Sequence, residues 1–295
     1  MHARSLSPSL TPSVSPPPPP PVLRDVSIRG VRARFLEAGF GPPVVLVHGY
    51  LASHTAWDPV FASLAARFRV IAPDLPGFGE SEKPPPGRYG YAAAAFAESL
   101  VDLIAALDVP RVAVIGTRLG ATVALTMAVV YPDVVERLVL VSPDLYPRKA
   151  SPWERAALVP VVGPLLFKQV AGLRLFLRYL DPWTVPVLPV SARALDWLEA
   201  FGAPAAREAA YATLRSIPDT RSLLARLDRA AAPALVCAGG RDDATRLAHA
   251  RRLARELPAG RLELFDTGCA PEEDRPDDFA RRVTAFILEA QLPRG

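Results

Sequence analysis

Three residues stand where this chain could carry chemistry. Arg118 lies at the centre of the glycine-flanked pentapeptide Gly116-Thr117-Arg118-Leu119-Gly120. Its guanidinium stays protonated, so it cannot act as a nucleophile, but it can bind a carboxylate or phosphate through paired hydrogen bonds. Asp242 ends the turn Gly239-Gly240-Arg241-Asp242, and Cys269 supplies a thiol between a late strand pattern and the last helical one. A thiol becomes a strong nucleophile only where its surroundings favour the thiolate, and the sequence shows no base next to Cys269.

The elements that must position these residues are predicted by alternating short β-branched runs and longer helical patterns. This alternation predicts a parallel sheet with helices on both faces. The predicted strands cover residues 26–28, 32–37, 44–47, 69–72, 112–115, 137–141, 233–238 and 261–265. Four glycine-containing patterns follow strands: the two around Arg118 and Asp242, His48-Gly49-Tyr50, and residues 74–81. Because ligands bind at the carboxyl edge of open α/β sheets, we expect the site at that edge.

The chain also divides into segments. Residues 1–24 contain eight prolines, six of them consecutive, which predicts a disordered proline-rich tail. Residues 146–228 carry helical patterns without a strong strand and are too long for a loop. We therefore expect a helical cap at 146–228, inserted into a core formed by residues 25–145 and 229–295.

In order and spacing, the four patterns resemble the α/β-hydrolase superfamily over about residues 25–291. The resemblance is greatest to capped esterases, epoxide hydrolases, haloalkane dehalogenases and meta-cleavage-product hydrolases. It implies an α/β-hydrolase sheet, mostly parallel, with helices on both faces and a helical cap. In this family a nucleophile occupies the centre of a G-x-S-x-G turn, a late histidine takes its proton, and an acid orients that histidine.

The resemblance assigns roles to residues of this chain, and two of them have unexpected types. It places Arg118 at the nucleophile position, Cys269 at the histidine position and Asp242 at the acid position, with Asp144 as a second position for the acid. None of the four histidines is placed to act as the base: His2, His48, His54 and His249. The family's oxyanion and ligand-binding positions correspond to Tyr50, Leu119, Gly49 and His48.

Two hypotheses describe Arg118. In the first it forms an ion pair with Asp242 that replaces the triad, since an unpaired guanidinium in a desolvated pocket is costly. In the second it binds an anionic ligand beside the backbone N–H groups of Tyr50 and Leu119. The expected function is a pseudoenzyme that has lost hydrolysis and binds a small apolar or anionic ligand in the old pocket. The alternative is an active hydrolase of ester, epoxide or C–C bonds with an unconventional site, so enzymatic activity stays open, with the non-catalytic interpretation favoured.

Composition limits the other possibilities. Half of the 295 residues are hydrophobic, as in a globular protein with a sizeable core, and the net charge of +4 is not concentrated in a basic stripe, which argues against nucleic acid. The longest apolar run, residues 156–167, is shorter than the roughly 20 residues of a transmembrane segment. No metal-ligand cluster, P-loop or dinucleotide fingerprint is present in the sequence, so we expect neither cofactor nor metal. Two cysteines and no secretory h-region favour the cytoplasm.

Overall fold

One eight-stranded sheet organises the chain. The structure, a computed structural model, describes residues 20–146, 152–165, 167–168, 192–217 and 219–289. The strands are β1 Val22–Ile28, β2 Val31–Ala38, β3 Pro43–Val47, β4 Arg69–Pro73, β5 Val112–Thr117, β6 Val135–Val141, β7 Ala234–Gly239 and β8 Gly260–Phe265. Their order in the sheet is β1-β2-β4-β3-β5-β6-β7-β8. The pairs β1–β2 and β2–β4 are antiparallel and all other pairs are parallel. The predicted fold class is confirmed.

Helices cover both faces of the sheet. One face packs against the helices Ala93–Ala106, Leu119–Val130 and Ala244–Glu256, and the other against Asp58–Ala65 and Pro276–Leu288. The central strands are therefore buried on both sides, and every residue of β5 is buried. This burial explains why these strands are continuous apolar runs rather than alternating ones.

The first hairpin corrects one predicted boundary. The strand β1 begins at Val22, inside the segment predicted as a tail ending at residue 24. A two-residue turn joins it to β2, with φ of 50° at Arg29 and 75° at Gly30. Positive φ at both positions suits the twist of a tight hairpin. Most of β1 is solvent-exposed, so pairing with β2 and not burial determines where it starts. Residues 1–19 of the predicted tail lie outside the described residues.

Between β6 and β7 the described residues are helical and contain no strand. The helices are Pro152–Ala157, Val162–Leu165, Ala192–Gly202, Pro204–Ser216 and Arg221–Leu224. Two contacts fix them to the loop after β3. Trp197 Nε1 donates to the hydroxyls of Ser53 and Thr55, at 3.1 and 2.8 Å, and Tyr50 Oη donates to the carbonyl of Ala210 at 2.8 Å. We call this group the inserted helices.

Each helix of the described residues is too short or too polar to cross a membrane.

Candidate functional site

Arg118 occupies the apex of a sharp turn between β5 and the helix Leu119–Val130. Its backbone has φ 54° and ψ −110°, a conformation that non-glycine residues rarely adopt. The flanking glycines are required sterically. A Cβ at Gly116 would lie 2.2 Å from the Gly120 carbonyl oxygen, and one at Gly120 would lie 2.1 Å from the Val47 carbonyl oxygen. The chain therefore keeps a strained strand-to-helix turn of the kind that presents a nucleophile, but presents an arginine.

The Arg118 side chain reaches the position where the resemblance predicted a histidine. Its Nη2 lies 3.6 Å from Cys269 Sγ, within hydrogen-bond distance for sulfur. Burial raises the pKa of the Cys269 thiol, although the charge of Arg118 opposes this effect. Arg118 and Cys269 are thus neighbours in space, and the thiol there stays largely protonated at neutral pH.

Asp242 is paired with Arg246 and not with Arg118, the partner predicted from the sequence. Its Oδ1 lies 3.4 Å from Nη1 of Arg246, one turn further along the chain, and its side chain is only 8% exposed. Within the described part of the chain the ion pair of Asp242 is with Arg246, so the predicted bridge between Arg118 and Asp242 is wrong. Arg246 is brought there by the helix Ala244–Glu256, whose N-terminus is capped by Asp243. Burial lowers the pKa of Arg246, against the attraction of Asp242.

Glu272 is a second residue that the sequence did not identify. It is 3% exposed and lies behind the turn, where its Oε1 accepts a hydrogen bond of 2.7 Å from Thr117 Oγ1. Among the described residues Oε2 has no hydrogen-bond partner and is buried. Burial raises the pKa of Glu272 to about 7, even though the positive charge of Arg118 favours the ionised form. The carboxyl group therefore changes charge near neutral pH, directly beneath the site.

His48 stabilises the loops next to the candidate site through hydrogen bonds to the backbone. It is fully buried, and both ring nitrogens are engaged with the backbone. Nδ1 donates to the Gly49 carbonyl at 2.8 Å, and Nε2 accepts from the Leu75 N–H at 3.0 Å. Burial lowers the pKa of His48, consistent with this neutral tautomer. Of the residues predicted to bind a ligand or oxyanion, His48 thus positions the loop and has no ring nitrogen left for a ligand.

A cavity of about 360 Å³ opens beside Arg118. Tyr50 and Leu119, which were predicted to bind an oxyanion or ligand, line it, and so does Asp144. The inserted helices and the residues that follow them contribute two further guanidinium groups, Arg215 and Arg226, together with apolar and hydroxyl side chains. The cavity thus combines apolar surface with three arginines and two aspartates, Asp144 and Asp219, which leaves one net positive charge at its wall. Such a composition can hold an amphipathic anion.

A smaller cavity, of about 210 Å³, is lined in part by residues 51–55 of the loop after β3. His54 lines this cavity, and its Nδ1 lies 2.9 Å from Asp74 Oδ1. The Asp74 carboxylate also accepts hydrogen bonds from the backbone N–H groups of His54 and Glu80. Burial alone would lower the pKa of His54, but the hydrogen bond to Asp74 and its charge raise it. The sequence did not predict the pair of His54 and Asp74 as a site. The buried carboxylate of Asp74 holds the loop that carries Ser53 and Thr55.

Comparisons with known proteins agree with this geometry. A family profile described as the alpha/beta hydrolase fold matches residues 42–171. An uncharacterized protein of Mycobacterium tuberculosis is 33% identical over 284 residues, covering 88% of this chain and 80% of the relative. A pimeloyl-(acyl-carrier protein) methyl ester esterase of Nitrosomonas europaea is 32% identical over 249 residues, covering 82% of this chain and 94% of that protein.

Solved structures give the same result. The crystal structure of a hydrolase from Pseudomonas aeruginosa is similar with a TM-score of 0.77 and 25% identity, covering 90% of this chain and 98% of that one. The strained turn at Arg118, the order of the strands and these relatives lead to one assignment. The chain belongs to the α/β-hydrolase superfamily.

Proposed function

We propose that this α/β-hydrolase has lost the hydrolytic chemistry of the nucleophile–histidine–acid triad and binds a small apolar or anionic ligand in the cavity beside Arg118. One observation carries the proposal: the guanidinium of Arg118 stands where a nucleophile would be and lies 3.6 Å from a thiol where the base would be. A guanidinium has no lone pair available for attack. The thiol has a raised pKa and cannot take the place of an imidazole as a proton acceptor at neutral pH.

The position of the acid supports the same conclusion. In a working triad the acid accepts a hydrogen bond from the histidine and orients it. Here Asp242 is paired with Arg246, a group that cannot transfer a proton. The remaining acid is therefore neutralised and not poised for catalysis. All three triad positions are altered in function, although only two are altered in residue type.

Binding is supported by the composition of the cavity. Its three arginines exceed its two aspartates by one positive charge, and the N-terminus of the helix Leu119–Val130 adds to the attraction for anions. We assign the inserted helices the role of a cap over this cavity, since they supply one side of it. The cytoplasm remains the proposed location, supported by two cysteines that form no disulfide in the described part of the chain.

The test is hydrolysis of short-chain nitrophenyl esters, a substrate class chosen because one relative is a methyl ester esterase. We expect the wild-type protein to be no faster than a non-enzymatic protein control. We expect the variant Arg118→Ser/Cys269→His/Arg246→Leu to gain activity, because it restores a nucleophile and a base and releases Asp242. Triad residues act as a unit, so restoring the nucleophile and the base together is worth up to several orders of magnitude in rate, whereas restoring one of them alone is worth little.

The comparisons within this experiment decide the outcome. Arg118→Ser alone should stay inactive, because no base would lie near the new hydroxyl. A clear wild-type rate that disappears in Asp242→Ala would overturn the proposal and favour an active hydrolase with an unconventional site. A wild-type rate that survives Asp242→Ala but disappears in Cys269→Ser would also overturn it, with the thiol as nucleophile.

A further inference from the structure

The cavity beside Arg118 follows the whole length of the helix after the turn. The first residue of this helix, Leu119, and its last residue, Val130, both line the cavity, and Thr122 and Thr126 line it between them. At spacings of three and four residues, these four side chains lie on one side of the helix. Because the helix rises by about 1.5 Å per residue, the cavity is about 16 Å long.

The cavity is therefore long and narrow. A sphere of its volume, about 360 Å³, would be only about 9 Å across, roughly half the distance along the helix. Leu119 is 8% exposed, whereas Val130 is 44% exposed. Along the helix the cavity is thus buried at the end next to Arg118 and open to solvent at Val130. We call the part of the cavity between Leu119 and Val130 the channel.

Three hydroxyl groups in the wall of the cavity are used by the protein itself. Thr126, Ser216 and Thr220 each donate a hydrogen bond to a backbone carbonyl of the chain, at 2.7, 2.8 and 2.7 Å. Their hydrogens are therefore not offered to a ligand. Leu223 and the three consecutive alanines at 92–94 add apolar wall. A chain of CH₂ groups gains free energy from burial against such a wall, because it needs no hydrogen bonds.

The direction of the helix determines where an anionic group on that chain is favoured. The N-terminus of the helix, with its positive partial charge, lies beside Arg118, and its C-terminus, with a negative partial charge, lies at Val130. The three arginines of the cavity also outnumber its two aspartates. A carboxylate is therefore favoured at the buried end of the channel and disfavoured at the open end, so the hydrocarbon chain must extend toward Val130.

We infer that the ligand of this cavity is an unbranched medium-chain carboxylate, with its carboxylate at Arg118 and its hydrocarbon chain in the channel. Carbon–carbon bonds of about 1.5 Å, set in a zigzag, span the channel with roughly a dozen carbons. Val130, at the open end, is then the residue that limits the length of chain held by the protein. The inference rests on the proposed function, because it names the ligand class of the same cavity.

Titration calorimetry with saturated carboxylates from hexanoate to hexadecanoate provides the test, with each ligand kept below the concentration at which it forms micelles. We expect the Kd of the full-length protein to fall about three- to fourfold for each added CH₂ group up to about dodecanoate, because each group is buried in the channel. We expect the Kd to level off for longer chains, since their last carbons leave the channel at Val130.

The variant Val130→Trp tests where the chain ends. The indole should fill the last helical turn of the channel, about 5 Å of its length. We expect it to weaken dodecanoate binding at least about tenfold and to leave hexanoate binding unchanged. Since Val130 is 44% exposed, the larger side chain is compatible with folding. Leu264→Trp is the matched control, at a 38% exposed position outside the cavity, and should bind both carboxylates like wild type.

The outcomes separate the channel from the proposed function. If no carboxylate of any length binds, the proposed function is wrong and the inference is wrong with it. If carboxylates bind with a Kd that does not depend on chain length, or that keeps falling through hexadecanoate, only the inference is wrong. It is also wrong if Val130→Trp binds dodecanoate as tightly as wild type, or if it loses hexanoate and dodecanoate equally, which would place the carboxylate at the open end.

Discussion

Arg118 raises the question of how a guanidinium is accommodated at a strained turn whose following helix repels cations. A thiol and a carboxyl group lie near the guanidinium. Cys269 Sγ accepts from Nη2, and the carboxyl group of Glu272 lies close enough for its ionisation to be favoured by Arg118. Asp242 does not pair with Arg118, because its carboxylate forms an ion pair with Arg246. The former triad acid therefore does not compensate the charge of Arg118.

Glu272→Gln should stabilise the protein at alkaline pH. The folded-state pKa of about 7 lies above the ordinary value of 4.5, so the folded protein binds this proton more tightly than the unfolded chain. Stability from Glu272 is complete below pH 4.5 and is lost as pH rises to 7. Glutamine stays neutral and retains the acceptor for Thr117. The variant should gain on the order of 3 kcal/mol in the free energy of unfolding at about pH 8, and far less at about pH 5.

Urea unfolding at both pH values measures this difference. Asp274→Asn, an exposed carboxylate two residues away, is the matched control and should show no such pH-dependent gain. An equal effect of Glu272→Gln at both pH values would mean that the substitution changes packing and that Glu272 does not titrate as argued. A loss of stability at about pH 8 would mean that the ionised carboxylate is needed there as a counter-charge to Arg118.

At the scale of elements, the sequence predicted the sheet well because burial leaves a direct record in residue type. Buried parallel strands such as β3 and β5 are continuous apolar runs bounded by glycine turns, and both were predicted within two residues of their observed ends. The strand β1 was predicted too short, because it is an exposed hairpin strand without that record.

The site was less predictable for a physical reason. The ion pair between Arg118 and Asp242 was predicted because a buried guanidinium needs an anion, but the partner of a charged group depends on which opposite charge lies nearest in the folded chain. Arg246 stands four residues after Asp242, a helical spacing that could have indicated the pairing. Glu272 gave no such signal, because its burial depends on how the turn after β8 packs against Thr117.

Trp197 anchors the inserted helix Ala192–Gly202 to the loop after β3, and this anchor should control local opening. The variant Trp197→Phe keeps most of the buried apolar surface but removes the donor to Ser53 and Thr55. We expect it to cost about 1 kcal/mol, mainly as faster amide hydrogen exchange in residues 192–202. Leu195→Ala, at an exposed position of the same helix, should leave that exchange unchanged. Unchanged exchange in Trp197→Phe would mean that apolar packing alone holds the helix.

For the whole molecule, the cavity beside Arg118 joins the two parts of the chain that line it. Tyr50, Arg118 and Leu119 belong to the sheet and its connections, whereas Arg215 belongs to the inserted helices. A ligand held there would therefore contact both parts at once.

Ligand binding should therefore appear as a rise in the melting temperature of the whole protein. A ligand that binds only the folded state stabilises it by RT ln(1 + [L]/Kd), so saturating octanoate should raise the melting temperature by about 5 °C. Octanol, which has the same chain without the charge, should give a smaller rise. Arg118→Gln should reduce the octanoate shift to that of octanol, whereas Arg241→Gln, at an exposed arginine outside the cavity, should not. If octanoate and octanol both leave the melting temperature unchanged, the cavity does not bind ligands of this class. If Arg118→Gln keeps the full octanoate shift, the anion is held elsewhere and Arg118 serves only to fill the place of the lost nucleophile.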